Sequence, residues 1–211
     1  MANTLFLWLE GPMQSWGERA RWSRRDSATE PTKSGVVGLL ACAMGLDQDA
    51  EIRHLSQQIR VGVRCDRPGT LQKDYQTIEG PWGTQLSDRY YLHDAMFLVV
   101  VQADDEALIE QLAASVQNPI WPIFLGRKSC PPSRPPFAGI GNFLTMQAAL
   151  ESVPITSSQA SGTVRVRAVL ESKVGEGTRR RDEINSRSRR TFLPRYTQDV
   201  QIEIPIVPEA A

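Results

Sequence analysis

Arginine is concentrated in three segments of this sequence, and the segments also carry aromatic and small polar side chains. A guanidinium group binds phosphate oxygens in a bidentate way and stacks on flat rings, whereas the ammonium group of lysine acts as a point charge. Aromatic side chains offer faces on which unpaired bases stack. These residue types therefore favour binding of phosphate and of unpaired bases. The three clusters are Arg19, Arg21, Arg24 and Arg25 with Trp16 and Trp22; Arg127, Lys128 and Arg134; and Arg179, Arg180, Arg181, Arg187, Arg189, Arg190 and Arg195.

Reactive groups are scarce by comparison. The histidines are His54 and His93, and the sequence contains no HExxH, no GxSxG and no group of cysteines and histidines, so no metal and no cofactor are expected. The glycines of GPMQSWG and GVVGLLACAMG lack the spacing and position of a nucleotide loop. One catalytic alternative stays open, because His93 with Tyr90 and Tyr91 could supply an acid and a base for metal-free cleavage of RNA at the 2′-hydroxyl.

The composition limits the class of protein. The chain has 211 residues, 41% of them hydrophobic, and a formal charge of +0, so it is long enough to bury a core. Binding of nucleic acid would have to rely on arginines clustered on one face, with the acidic residues elsewhere. Cys42, Cys65 and Cys130 form no CxxC pair, which favours a reducing compartment. The apolar run from Val36 to Leu46 is too short to span a bilayer, and we expect a cytoplasmic protein without membrane contact.

The hydrophobic pattern predicts the elements that must position these residues. Their order is strand, helix, strand, strand, helix, strand, which is typical of an α+β, ferredoxin-like (RRM-like) core with an antiparallel sheet and two helices on one face. Ser34 is the predicted N-cap of the first helix. The strands are predicted at 4–9, 57–69, 96–102 and 123–125, and the helices within 30–49 and 103–119.

Two additions to this core are predicted. The segment Thr70 to Asp94 has two alternating arms around the turn signal GPWG, which indicates an inserted β-hairpin. After Pro136 the chain becomes richer in Thr, Ser, Val and Arg, which indicates a β-rich appendage with strands at 163–170 and 200–206. The predicted division is therefore a core at 1–136, with its hairpin at about 70–94, and an appendage at 137–211.

The individual features also have plain structural interpretations. The arginines between Thr178 and Arg195 are as consistent with a solvated or disordered loop as with a binding surface. Trp8 and Trp16 are more typical of a core or of a loop that covers one. From its composition and residue pattern alone, the sequence favours a domain that binds single-stranded RNA.

Five motifs, in order from Leu5 to Pro131, resemble the CasD family. They are GPMQSWG, PTKSGVVGLLACAMGL, VRCD, DYQTIEG and FLGRKSCP. The resemblance implies a RAMP protein with a ferredoxin-like core and a hairpin called the thumb, acting as a non-catalytic subunit of the type I-E CRISPR Cascade complex in antiviral defence. Such a subunit holds the 5′ handle of crRNA, and its implied partners are the backbone subunit CasC, the large subunit CasA, the other Cascade subunits and, indirectly, target DNA. A sister family cleaves the repeat RNA, so the ribonuclease alternative stays open, as does a module whose arginines bind acidic protein partners.

Roles in RNA binding can be assigned within these motifs as hypotheses. The turn from Gly126 to Cys130 would hold handle phosphates through its N–H groups and cations. Glutamine and serine after the first strand would contact base edges, a tryptophan would form a wall of the pocket, and two residues of the hairpin would press against a displaced nucleotide. The predicted RNA-binding residues are Gln14, Ser15, Trp16, Arg24, Arg25, Lys33, Ser34, Tyr75, Gln76, Arg127, Lys128, Ser129 and Cys130.

Overall fold

The structure is a computed structural model, and it describes residues 2–17, 24–80, 83–157 and 162–208. Of the residues singled out in the sequence, Arg19, Arg21, Trp22 and the middle of the GPWG turn lie outside these ranges. The described part of the chain contains no helix that is both long and apolar enough to cross a membrane.

The elements alternate between strands and short helices. The helices are α1 (Lys33–Met44), α2 (Asp49–Gln58), α3 (Glu106–Gln117) and α4 (Met146–Ser152). The strands are β1 (Thr4–Glu10), β2 (Met13–Gln14), β3 (Arg24–Arg25), β4 (Ile59–Arg67), β5 (Thr70–Gly80), β6 (Gly83–His93), β7 (Met96–Ala103), β8 (Phe137–Gly141), β9 (Ile155–Ser157), β10 (Gly162–Ser172), β11 (Thr178–Ser186) and β12 (Thr191–Pro208).

A large sheet forms the centre of the molecule, in the order β11-β12-β10-β4-β7-β1-β8. The neighbours along this order are antiparallel, and β9 joins β12 in parallel. Strand β7 has the sequence MFLVVVQA and is buried along nearly its whole length, as expected for an apolar run in the middle of a sheet with both faces covered. The continuous run thus marks the central strand.

The two faces of this sheet belong to two hydrophobic clusters. On one face, Leu5, Leu7 and Leu9 of β1 pack in a core with apolar residues of α1, α2 and α3. On the other face, Phe6 packs with residues of β7, β10 and β12 and with Leu150 of α4. Because successive side chains of a strand point to opposite faces, the alternation within β1 supplies both cores.

The inserted segment forms a hairpin in a second sheet. Strands β5 and β6 pair antiparallel from Thr70–His93 to Gly80–Gly83. The short strand β2 pairs with the base of β6, and β3 pairs with β6 in parallel. Residues Met13–Gln14 and Arg24–Arg25 are therefore both attached to the hairpin.

The C-terminal strands continue the large sheet. Strand β8 lies beside β1, and β10 pairs with β4 at Ala168–Arg64 and Val169–Val63. The residues after 136 thus share a sheet with those before it, and the division at 136 stays a prediction.

Buried charges connect α1 to these strands. Arg195 donates to both carboxylate oxygens of Asp182, at 2.7 and 2.8 Å, and Asp182 also accepts the backbone N–H of Lys33 at 2.9 Å. The ammonium group of Lys33 lies 3.0 Å from Glu171. Since an uncompensated charge is costly in a protein interior, each of these groups depends on its partners.

Three predictions about the elements are wrong. The segment 123–125 is not a strand, because prolines at 119, 122, 131 and 132 interrupt the surrounding chain, and β8 occupies the edge position instead. The N-cap of α1 is Thr32, whose hydroxyl accepts the N–H of Gly35, and not Ser34. Helices α2 and α4 were not in the predicted order.

Candidate nucleic-acid interface

A groove of about 360 Å³ lies between the base of the hairpin and the turn after Leu125. Strands β5 and β6 supply one wall, and Met13 and Ser129 supply the other. The cross-strand pair Gln72–Tyr91 lies within it. Side chains two residues apart on a strand share a face, so the groove follows one face of the hairpin.

The turn that closes this groove is held in one conformation. Gly126 has a φ of +89°, and a Cβ at this position would lie 1.8 Å from the carbonyl oxygen of Ser15. Only glycine adopts this conformation at such a close approach without strain. The N–H of Ser15 donates to Leu125 O at 3.1 Å, and Cys130 O accepts from Leu125 N at 2.7 Å. Lys128 and Ser129 are exposed at the tip of the turn, where a ligand can reach them.

Arg127 joins three segments at the rim of the groove. Its guanidinium lies 4.7 Å from the ring centroid of Tyr91. The same group donates to the carbonyl oxygens of Arg25 at 3.1 Å and Asp26 at 3.3 Å. The turn, strand β3 and strand β6 are therefore fixed to one another through a single side chain.

The pKa of Tyr91 indicates a positive electrostatic potential at the rim of the groove. Burial alone would raise the pKa of its hydroxyl, but hydrogen bonds from Arg127 and Ser129, the charge of Arg127 and a hydrogen bond from Arg89 outweigh burial and lower that pKa. The pKa of Arg25 is lowered from its ordinary value, first by burial and then by the like charges of Arg89, Arg127 and Arg190. The same positive potential that lowers both pKa values attracts an anion to the region around Tyr91 and Arg25.

The guanidinium groups of Arg89 and Arg127 each have one nitrogen without a hydrogen-bond partner among the described residues. Arg89 Nε and Arg127 Nη1 are buried, and neither forms a hydrogen bond with any described residue. Leaving a buried donor unsatisfied costs about 1–3 kcal/mol, more for a charged group. One carboxylate, that of Asp74, also lines the groove, and it accepts a hydrogen bond from Gln76 at 2.8 Å. Lys73 lines the groove together with Asp74, and Arg25, Arg89 and Arg127 lie close to Tyr91 beside it. These cations can attract a phosphate.

The structure places several predicted RNA-binding residues in the core instead. Gln14 is fully buried, its amide donates to Leu9 O and Ala95 O at 3.1 and 2.8 Å, and it accepts from Trp16 Nε1 at 3.0 Å. Trp16 is 1% exposed. Its ring packs so closely on α1 that a side chain at Gly35 would collide with it at 2.6 Å. Gln14 and Trp16 therefore shape the loop from inside and lie away from the groove.

Ser15, Cys130, Lys33 and Ser34 are also held by the protein. The Ser15 hydroxyl donates to Tyr90 O at 3.1 Å, and Cys130 is fully buried. Lys33 is 2% exposed, and the hydroxyl of Ser34 lies 3.3 Å from that of Thr32. The structure brings none of these four side chains into the groove lining.

The predicted hairpin residues Tyr75 and Gln76 lie on opposite faces, since they are adjacent in β5. Gln76 lines the groove, whereas Tyr75 is 62% exposed and carries the Lys73 ammonium 4.1 Å from its ring centroid. Arg24 and Arg25 of β3 were also predicted to bind RNA. Arg25 lies near Arg89 and Arg127, whereas Arg24 pairs through its backbone with Asp88.

Sequence reasoning missed Arg89 as a binding residue and considered Tyr91 and His93 only for catalysis. These three residues alternate along β6 and so share a face. In the antiparallel register, Gln72 is opposite Tyr91 and Gln76 lies on the same face. Gln76 was already predicted to bind RNA. Residues at two-residue intervals from Gln76, together with the residues opposite them on β6, lie on the same face, and this pattern could have identified Arg89, Tyr91 and His93.

Comparisons with known proteins agree with one another. A family model described as a CRISPR-associated protein of the Cas5 family matches residues 4–202. The CRISPR system Cascade subunit CasD of Escherichia coli (strain K12) is 33% identical over 160 residues, which cover 66% of this chain and 71% of CasD. A solved structure described as a crystal structure of a Cas protein has a TM-score of 0.74 and 37% identity, with 98% of each chain covered. A chain of a CRISPR RNA-guided surveillance complex has a TM-score of 0.77 and 27% identity, covering 97% of this chain and 93% of that one.

Proposed function

This chain belongs to the Cas5 family of CRISPR-associated proteins, and from that premise we propose that it is the crRNA-binding subunit of a type I-E Cascade surveillance complex. In this role it holds the 5′ handle of crRNA, caps the backbone filament and performs no catalysis of its own. The observation that carries the proposal is the groove lined by Tyr91 and Ser129, beside which Arg25, Arg89 and Arg127 lie close to Tyr91.

The groove fits a strand of RNA in a specific way. A phosphate in the groove beside Tyr91 would be attracted by the charges of Arg89 and Arg127, which both act on Tyr91. Ser129 and Lys128 on the exposed turn add a hydroxyl and a cation to an adjacent phosphate. The amides of Gln72 and Gln76 line the same wall and can donate to or accept from base edges. Phosphate contacts thus fix the position of the strand, and the amides supply preference among bases.

The ferredoxin-like (RRM-like) RAMP core is the fold that we propose for the centre of the molecule. Its support is the antiparallel order β8-β1-β7-β4, together with the cluster that contains α1, α2 and α3 on one face. In this core β1 and β4 are connected through α1, and β7 and β8 through α3, which is the split βαβ arrangement.

The proposed partners follow from the membership in a Cascade complex that we propose and from the exposed surfaces of the chain. The hairpin face away from the groove exposes Leu71 at 47%, Tyr75 at 62% and Leu86 at 66%, and we assign this face to CasC beside the RNA. CasA, the other subunits and, indirectly, target DNA complete the proposed assembly, which we place in the cytoplasm.

The test is co-expression of this chain with the other Cascade subunits and a CRISPR array, followed by sequencing of the copurified RNA. We expect one defined handle at the 5′ ends in the wild type, and loss of the copurified RNA when Arg89→Gln and Arg127→Gln are combined. The matched control is Arg60→Gln with Arg165→Gln, which removes two guanidinium groups that pair with Asp104 and Glu203 elsewhere on the surface. Equal RNA recovery from both double variants would exclude the groove as the binding site.

A second function has one observation in its favour. His93 and Tyr91 line the same groove, so an acid and a base stand near a bound strand, as metal-free cleavage at a 2′-hydroxyl requires. Incubation of the purified protein with labelled repeat RNA in EDTA separates the two functions. We expect intact RNA. Cleavage of the RNA by the wild type that is lost in His93→Ala would show that the protein is a ribonuclease. Tight binding of an acidic protein, with no binding of RNA, would show that the chain is a protein interaction module.

A further inference from the structure

The arginine-rich segment near the C-terminus contains inward-pointing arginines, exposed arginines on strand β11 (Arg179 and Arg181) and exposed arginines in a turn. Arg180 and Arg195 point inward, where Arg180 pairs with Glu30 and Arg195 with Asp182. The turn between β11 and β12 carries a group that we call the arginine tip: Arg187, Arg189 and Arg190. All three are exposed, and within the described residues no ion pair joins them to a carboxylate.

The arginine tip is an ordered turn. Asp49, the first residue of α2, accepts hydrogen bonds from the hydroxyl of Ser186 at 2.6 Å and from the backbone N–H groups of Arg187 and Ser188, both at 3.1 Å. Arg190 N donates to Arg187 O at 3.2 Å. The backbone of Arg190 has a φ of +51°, which is uncommon for a residue other than glycine. The surrounding hydrogen bonds therefore hold the backbone of the turn, from which the three exposed arginine side chains extend.

The arginine tip is continuous with the groove. Arg190 is near enough to Arg25 for its charge to contribute to the lowered pKa of Arg25, after burial, Arg89 and Arg127. Arg25 in turn holds Arg127 through its backbone carbonyl. Cationic side chains thus lead from the rim of the groove across Arg25 to the tip. The carboxylate of Asp49, beside the tip, accepts hydrogen bonds from the turn itself.

We propose that the arginine tip binds the phosphodiester backbone of the same single RNA strand that occupies the groove, beyond the part that the groove holds. The chemistry is that of planar guanidinium forks on successive phosphates. Phe192, two residues after Arg190 and 36% exposed, offers a ring for stacking of an unpaired base, which favours a nucleic acid over an acidic peptide. This inference rests on the proposed function of the groove and extends its footprint.

The experiment compares two labelled single-stranded RNAs that share a repeat sequence, one of about 8 and one of about 16 nucleotides, in fluorescence anisotropy with the full chain. The variant is Arg187→Gln, Arg189→Gln and Arg190→Gln together. The control, Arg60→Gln, Arg165→Gln and Lys173→Gln, removes the same charge from other exposed positions. We expect the wild type and the control to bind the longer RNA more tightly than the shorter one, and the tip variant to bind both equally.

Salt dependence supplies the second measurement. Each phosphate contact to a single strand contributes about 0.7 to the slope of log K against log salt, so loss of three contacts lowers the slope by about 2. Between about 50 and 200 mM salt, the wild type should therefore lose about 16-fold more affinity for the longer RNA than the tip variant does. A tip variant with the wild-type slope overturns the inference.

The outcomes also separate this inference from the proposed function. Failure of the wild type to bind the shorter RNA contradicts the proposed function of the groove. Binding of the shorter RNA without any gain from added length contradicts the arginine tip alone. A tip variant that loses affinity for duplex DNA but keeps its length-dependent affinity for RNA assigns the tip to duplex DNA and overturns the inference for RNA.

Discussion

Substitution of Gly126 by alanine tests how the groove is closed. The new Cβ would lie 1.8 Å from the carbonyl oxygen of Ser15, far inside van der Waals contact, so the turn must move away from the loop after β1. Because the hydrogen bond from Ser15 N to Leu125 O measures 3.1 Å, such a displacement breaks it. Lys128 and Ser129 would then shift relative to Tyr91.

The expected cost combines two contributions. An alanine held at a φ of +89° costs about 1–2 kcal/mol in backbone strain. Loss of the hydrogen bond adds about 1 kcal/mol, and residual crowding raises the total to about 2–4 kcal/mol. For a chain of this size each kcal/mol corresponds to about 2–4 °C in the melting temperature.

Gly175 provides a matched control. It also has a φ of +89°, but no atom lies within 4 Å of the position that its Cβ would take. Thermal unfolding should show a loss of about 1–2 kcal/mol for Gly175→Ala, from strain alone, and a larger loss for Gly126→Ala. Anisotropy with repeat RNA should show weaker binding only for Gly126→Ala. Equal stability and equal RNA affinity of the two variants would refute the described packing of the turn.

Three further predictions concern the buried polar groups and the arginine tip. Lys33→Met leaves Glu171 without its close cation and should lower the free energy of unfolding by about 3 kcal/mol in urea titration; a loss below about 0.5 kcal/mol would contradict the buried pair. Gln14→Leu removes the partners of two carbonyls and of Trp16 Nε1, and should cost about 3 kcal/mol or more while the folded protein keeps its RNA affinity; a selective loss of RNA binding would instead make Gln14 a ligand contact. The pKa of Asp49 is lowered to about 2 by hydrogen bonds from Ser186 and Ser188. Because this folded-state pKa lies below the unfolded value of about 3.9, the stabilisation is present above pH 4 and is lost as the pH falls towards 2. Asp49→Asn should therefore flatten the pH dependence of unfolding in that window, and an unchanged profile would contradict the hydrogen-bonded turn.

The parts of the fold that follow from sequence are those with a strong local pattern. The continuous apolar run of β7 and the alternation in β4 predicted both strands, and the acidic first turn with its apolar stripe predicted α3. The strand at 123–125 was wrong because three apolar residues carry little information beside prolines. Strand β8, with the sequence FAGIG, has too weak a β pattern to compete with that assignment.

The site was predictable only in part, because sequence does not show which polar residues are buried. The cationic GRKSC segment forms a turn at the groove, with Arg127 and Ser129 in contact with Tyr91. Gln14 and Lys33 have the residue types of RNA-binding positions, yet their partners are protein atoms that only the tertiary fold brings near. Arg89 escaped notice because the face of a hairpin strand is undefined until its register with the opposite strand and its packing partner are known.

The proposed binding of the 5′ handle of crRNA in the groove beside Tyr91 can be tested in the assembled complex. Ultraviolet crosslinking of the assembled Cascade complex, followed by mass spectrometry of the RNA-linked peptides, tests this proposal most directly. We predict crosslinks from handle nucleotides to peptides that contain Tyr91 and to the turn from Gly126 to Cys130. Handle crosslinks confined to other subunits, or to the face of the hairpin that carries Tyr75, would contradict it.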